Sequence, residues 1–286
     1  MAARHWVALC AFALLVAIGS GLGGAYLYRE RVRARNEAQA RAEKDVIVRE
    51  GLSLRKALFE ELQPVRLANC ELERFGEAHD GGYLVCGNLL ADVKAGYSYG
   101  ISGYDGWGCD VATRFRIPVH QFDCFDLRQP VCPGGGTQFH AECVGPVSLR
   151  DGADRIFGTM KEQFMANGDA DRRVVVKIDV EGAEWATFAH MEESVLSRID
   201  QLVVEFHGAD DMQFLSVIRR LKEYFMIAHL HYNNFRCDQE LSPLPGDVYE
   251  VLFVAKGLAQ VDASAPPPPR PHRLDAPNNA KAPDCQ

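Results

Sequence analysis

The sequence predicts an α/β domain on a doubly wound, mostly parallel sheet with an antiparallel closing strand. Three observations carry this. Short apolar runs alternate with helix-length stretches between roughly residues 95 and 225, the rhythm of βαβ units. The run Val174, Val175, Val176 and Ile178 stops on Asp179, and Gly182 and a helix-forming stretch follow. It reads as a buried strand delivering a carboxylate to the sheet's carboxyl edge. Met226 to His231 and Tyr249 to Ala255 then read as a strand pair that closes the sheet.

A chain of 286 residues has room for one domain of roughly 200 residues plus appendages. The net charge of -8 and pI near 5.6 argue against a nucleic-acid footprint, which needs a clustered basic face. Nine cysteines are present. Cys10 lies in an apolar N-terminal segment. The other eight form no CxxC pair, which argues against a structural zinc site. They suit either disulfides in an oxidising compartment or small buried apolar positions.

Residues 1–5 form a short flank. Trp6 to Tyr28 carries no charged residue and no histidine. At about 1.5 Å per residue that segment spans a bilayer core of roughly 30 Å, and 6–28 is predicted as a single-pass membrane anchor. The small residues between Gly19 and Gly24 offer a signal-peptide cleavage site as the alternative. Arg29, Arg31, Arg33 and Arg35 follow the segment while Arg4 alone precedes it, which favours a cytoplasmic domain. The cysteine count favours the opposite side, and no Asn-x-Ser/Thr sequon occurs, so the side stays open. Residues 29–64 read as a helical stalk, rich in Arg, Glu, Ala and Leu and ended by Pro64.

The α/β domain is placed at 65–258. Arg74 to Cys86 reads as a hairpin turning at Asp80-Gly81-Gly82. Ala95 to Ile101 is a strand that runs into the glycine-rich turn Ser102 to Gly108. Asp110 to Phe115 is a helix, and Ile117 to Phe122 a strand ending at Asp123. Gln129 to Gly136 is a loop, and Thr137 to Val144 a third strand. Ile156, Phe157, Met160 and Phe164 predict a helix over 154–165. The strand to Asp179 and a helix over 182–190 follow. Gln201 to His207 is a strand, and Asp211 to Phe225 an amphipathic helix. Residues 259–286, rich in Pro, Ala and Asn, are predicted to be disordered.

Three features converge on the predicted carboxyl edge, where open α/β sheets bind ligands. The turn Gly100 to Gly108, with Ser102 and Gly103, lets a backbone approach a ligand closely. Asp123 ends its strand where an acidic residue accepts hydrogen bonds from ribose hydroxyls. Asp126 is a nearby competitor. Asp179, Glu181, Glu205 and His207 end two further strands. They suit orienting a substrate or taking its proton, with His207 in the range for a base. They also suit holding a divalent cation through oxygen and imidazole. No metal is assigned, and helix capping is the plainer role for any single carboxylate. His229 and His231 read as structural.

VVVKIDVEGAEW resembles the signature of the FkbM-type methyltransferases, a strand ending in KIDVEGAE. DGGYLVC, YSYGI, VHQFDCFD, LVVEFHG, LHYNNFRC and VYEVLFV are similar to the methyltransferase-like 24 branch of that group. The resemblance covers roughly residues 70–256. It implies a class I methyltransferase-like, Rossmann-like fold and S-adenosyl-L-methionine as cofactor. It also implies transfer of a methyl group to an oxygen or nitrogen. Carried over, Gly100, Ser102 and Gly103 would line the donor's amino-acid portion, Asp123 would hold its ribose, and Asp179 would sit beside sulfonium and acceptor. Asp179, Glu205 and His207 form the expected catalytic set. The glycine motif departs from the family, YGISGYDGWG standing where DVGANxG is common. Two other readings are a catalytically silent binding module on the same fold and a nicotinamide-dependent oxidoreductase. The glycine-rich turn after the first strand is not GxGxxG in the dinucleotide form, which argues against the oxidoreductase. The expected acceptor is a small molecule or glycan, and the sequence does not set the oligomeric state.

Overall fold

The computed structural model describes residue 33 and residues 35–285. The segment 6–28, predicted as the anchor, lies outside the described residues. Among the described residues no helix is long and apolar enough to cross a membrane. The chain divides into two compact units, Met1–Gly51 and Leu52–Gln286. In the first, residues 35–50 are helical and exposed, as a proline-free run rich in Arg, Glu and Ala favours. In the second, residues 52–61 form helix α1. Leu58 of α1, and Leu62 just beyond it, are buried in the core.

The elements follow in chain order. They are β1 (Leu72–Gly76), β2 (Gly82–Cys86), β3 (Ala95–Tyr99), α2 (Gly106–Phe115), β4 (Val119–Phe122) and β5 (Thr137–His140). Next come β6 (Cys143–Val144), β7 (Leu149–Arg150), β8 (Ile156–Gly158), α3 (Met160–Ala166), β9 (Val174–Ile178) and α4 (Glu184–His190). The last are α5 (Glu193–Leu196), β10 (Ile199–His207), α6 (Met212–Tyr224), β11 (Phe225–Tyr232) and β12 (Val248–Ala255). Seven strands form the main sheet in the order β11-β12-β10-β9-β3-β4-β5. Neighbours from β10 to β5 are parallel. β12 runs antiparallel to both β10 and β11. This is the doubly wound, mostly parallel sheet with an antiparallel closing strand. The chain moves outward from β3 to β5, then restarts at β9 on the other side of β3. The carboxyl ends of β3 and β9 are therefore the topological switch point, where such sheets form a ligand crevice.

Strand alternation sorts the core into two layers. Val174, Val176 and Ile178 of β9 share one cluster with Leu202, Val204 and Phe206 of β10. Val175 and Val203 share the other with Trp107 and Val111 of α2 and with Tyr83 and Val85 of the hairpin. Lys177, Glu205 and His207 follow Val175 and Val203 in alternation, so they fall on the hairpin side. The β1–β2 hairpin is clamped there by Gln201. This fully buried side chain accepts from Cys86 N at 2.9 Å and donates to Cys86 O at 2.8 Å. The bonds satisfy a buried amide and the edge of β2 together.

The structure corrects several expectations. Residues 154–165 are not one helix: Ile156 and Phe157 belong to β8, which pairs with β6 and β7. Helix α3 starts only at Met160, behind a Thr159/Glu162 capping box. The third strand stops at His140. The helix expected from Asp110 begins at Gly106, with Asp105 as its N-cap. The eight cysteines pair as Cys70–Cys86, Cys109–Cys132, Cys124–Cys143 and Cys237–Cys285. The tail expected to be disordered lies along the domain with little regular structure of its own. Asn278 and Cys285 are buried, and Asp275 lies 2.8 Å from His229. Side-chain bonds and a disulfide supply the order that its composition does not.

Candidate active site

Three strand ends meet at the switch point. Gly100 N donates to Phe122 O at 3.0 Å, and Asp179 N donates to Tyr99 O at 3.2 Å. Gly100 has φ +70°, and a Cβ there would lie 1.7 Å from Asp179 O. Only glycine lets the two strands end so close together.

Asp123 closes the glycine turn from below. One carboxylate oxygen accepts from Ile101 N and Ser102 N at 3.2 and 2.9 Å. The other accepts from Phe125 N and Asp126 N at 2.8 and 2.9 Å. Four backbone donors thus occupy the group expected at the ribose, and it does not line the cleft. Gly103 faces the Arg128 guanidinium, 2.8 Å from its would-be Cβ, and it also stays outside the lining. Arg128 pairs with Asp126, and hydrogen bonds from the guanidinium and backbone of Arg128 hold the Asp126 carboxyl down to about 2.

The stretch VVVKIDVEGAEW builds the opposite wall. Glu184 is fully buried. Its Oε1 accepts from Val180 N at 2.7 Å and from His207 Nδ1 at 3.1 Å, and its Oε2 from Gly182 N at 2.8 Å. Trp185 Nε1 donates to His207 O at 2.6 Å. The helix after β9 therefore locks the ends of β9 and β10 together and fixes the His207 ring. The Nε2 of that ring points at Asp179 Oδ1, 3.9 Å away, and at exposed Glu181, 3.5 Å away.

Lys177 lies buried beneath the cleft. Its Nζ donates to Gly100 O at 2.8 Å and sits 3.6 Å from Asp179 Oδ2. Tyr83 OH, from the hairpin, lies 3.1 Å from Asp179 Oδ2 and 3.2 Å from Glu205 Oε2. One phenol proton cannot serve both oxygens. Asn233 donates to the other Glu205 oxygen at 3.0 Å.

Burial, then the Asp179 and Glu250 charges, push Glu205 well above the usual carboxylate range. Burial also pushes the Tyr83 phenol up, with Asp179 and Glu205 adding to it, so Tyr83 stays protonated. Burial opposes the His207 imidazolium, but the Glu184 bond and the surrounding carboxylates outweigh it and raise the ring above its ordinary value. A neutral imidazole base is therefore less available here than the sequence suggests.

These groups surround a cleft of about 670 Å³, within the usual range for small-ligand sites. Gly100, Ser102, Asp179, Glu205 and His207 of the expected set line it, and Gly103 and Asp123 do not. The sequence reading missed Tyr83, Lys177, Asp105 and Asn233. For Lys177 the signal was present: it alternates with Val175 and Val203 onto the face that carries Glu205. Asp105 had one too, since an Asp before a helix is a strong cap. Tyr83 and Asn233 arrive from distant elements, and the sequence marked them only as members of the DGGYLVC and LHYNNFRC segments. Asp179, Glu205 and His207 each offer a ligand atom within 4.8 Å of the others. That constellation suits a divalent cation as well as proton transfer.

No family model matches this chain, and no curated protein does. Among solved structures it is similar to the methyltransferase FkbM from Methylobacillus flagellatus KT, a crystal structure at 2.20 Å resolution. The two are 13% identical, with a TM-score of 0.39 over 57% of this chain and 44% of that one. The chain thus spans under half the length of that structure.

Proposed function

We propose that this chain is an S-adenosyl-L-methionine-dependent methyltransferase acting on an oxygen or nitrogen of a small-molecule or glycan acceptor. The observation that carries the reading is a cleft at the topological switch point, where the carboxylates of Asp179 and exposed Glu181 stand with Gly100 and Ser102 in one lining. S-adenosylmethionine brings a sulfonium and an ammonium, and those two carboxylates favour both. Burial pushes the Asp80, Asp105 and Glu205 carboxyls up, so they add less negative charge. A nicotinamide dinucleotide brings a pyrophosphate, which needs an open helix N-terminus. Here Asp105 fills that place, accepting from Gly108 N at 2.8 Å and from Gln121 at 2.9 Å. The cap disfavours the oxidoreductase.

Bound there, the donor would supply an already activated methyl group. The residues would align the acceptor and take its proton. Gly100 and Ser102 would hold the amino-acid portion. Asp179 would take the proton, with Tyr83 and Lys177 fixing its carboxylate. The four disulfides favour an oxidising compartment. With the predicted anchor at 6–28, that suits a single-pass membrane protein with this domain on the non-cytoplasmic side.

Titration with S-adenosylhomocysteine, followed by thermal unfolding, tests the reading. At a hundredfold excess over Kd the midpoint should rise by roughly 5–10 °C, and NADH should leave it unchanged. Asp179→Asn should lower labelled-methyl incorporation into an acceptor pool by about a hundredfold or more, with unfolding close to wild type. Stabilisation by NADH alone, or full activity in Asp179→Asn, would overturn it. Binding without any methyl incorporation would point to a silent binding module.

A further inference from the structure

We infer that Asp179, Glu205 and His207 form a divalent-cation site whose open positions face the cleft and take an oxygen of the acceptor. The three ligand atoms lie within 4.8 Å of one another and come from the ends of adjacent parallel strands. That gives two carboxylates and one imidazole, a set suited to Mn²⁺ or Zn²⁺.

Two observations beyond the cluster point the same way. The first is the carboxylate behind the histidine. Glu184 is fully buried, takes no place in the ligand set, and holds His207 Nδ1 at 3.1 Å. Metal-bound histidines are oriented in this manner, the far ring nitrogen anchored and the near one presented. The same carboxylate accepts from Val180 N and Gly182 N, so the anchor is itself rigid. The second is the shortage of donors at Glu205. Its side chain is 5% exposed, and Oε2 has only the Tyr83 hydroxyl, which it shares with Asp179. A buried carboxyl oxygen with half a donor is costly unless a cation or proton completes it.

Lys177 Nζ lies 3.6 Å from Asp179 Oδ2 and is bonded to Gly100 O. Three protein donors leave at least one position for a further ligand. An acceptor hydroxyl or carboxylate fits a hard or borderline cation better than an amine does. This choice of acceptor rests on the methyl-transfer reading; cation binding does not.

The test is calorimetric titration of the full chain, freed of metal by chelation, with Mn²⁺ and separately with Zn²⁺, and with electron paramagnetic resonance of bound Mn²⁺. Saturable one-to-one binding of either ion is expected. Asp179→Asn, Glu205→Gln and His207→Asn should each weaken it by roughly tenfold or more, and Glu184→Gln by roughly 10- to 100-fold. Thermal unfolding in chelator checks that each variant still folds, and S-adenosylhomocysteine titration of the wild-type chain keeps the donor reading separate. Absence of saturable binding to the wild-type chain overturns the site, whatever the variants do. So does wild-type affinity in all three ligand variants.

Discussion

One hydrogen atom in place of a side chain decides whether the switch point can exist. At Gly100 a methyl group would fall 1.7 Å from Asp179 O, in a backbone conformation of φ +70°. Relief requires moving either β3 or β9, and both are buried along their whole length. Gly134 has a similar φ, +79°, with nothing within 4 Å of its would-be Cβ. The two positions separate crowding from conformational strain. Gly134→Ala should cost about 1–2 kcal/mol from the left-handed conformation alone. Gly100→Ala should cost roughly 3–5 kcal/mol, in the range of severe steric substitutions. Urea midpoints of the two variants check this. Equal losses would mean that β3 and β9 can part at little cost and that the crevice is softer than its packing implies.

At the scale of elements, the strands that bury both faces were legible because apolar, mostly β-branched residues dominate them. Val174, Val175, Val176 and Ile178, and the apolar residues of Gln201–His207, are of this kind. The residues 154–165 were misread for a related reason. Ile156 and Phe157 happen to continue the helical spacing of Met160 and Phe164, and the Thr159-x-x-Glu162 box that starts the helix was passed over. Asp123 was legible as a strand-end carboxylate, but its engagement by loop amides depends on how the turn folds back. The polar row on the hairpin face was hidden for another reason: its members lie on different strands. Glu250 of β12 pairs in register with Glu205 and with His231. His231 Nδ1 lies 3.3 Å from Glu250, and Nε2 3.1 Å from Asp284. Burial opposes the imidazolium, but the Glu250 bond and charge, with Asp275 and Asp284, raise His231 from 6.5 to about 9. A raised histidine stabilises the fold fully below its unfolded value. That contribution shrinks as pH climbs from 6.5 and is spent above about 9. Wild-type thermal midpoints should therefore decline across that window. His231→Gln should start lower and lose less over it. Parallel declines in both proteins would remove His231 as the cause.

At the scale of the whole molecule, the outer wall of the cleft depends on the tail. Asn278 donates to Glu250 at 2.8 Å and to Asp80 at 3.2 Å, and Asp80 lines the cleft. Asn234 donates to Asn279 O and Pro283 O at 3.1 and 2.9 Å, beside Asn233 and Phe235 of the lining. The Cys237–Cys285 disulfide fastens this arrangement across 48 residues. A loop of that length restricts the unfolded chain by on the order of 4 kcal/mol. A composition of Pro, Ala and Asn cannot bury enough apolar surface to order itself, so this crosslink and the side-chain bonds must do so. Two consequences follow for Cys237→Ser/Cys285→Ser. Trypsin should cut after Arg273 and Lys281 about tenfold faster or more, because local opening governs cleavage. S-adenosylhomocysteine binding should weaken in step, since the Asp80 turn and the Asn233–Phe235 segment lose their shared support. If wild type and the double variant are cleaved at the same rate, the tail is mobile with or without its crosslink. If cleavage accelerates while binding holds, the tail is ordered but the wall stands without it.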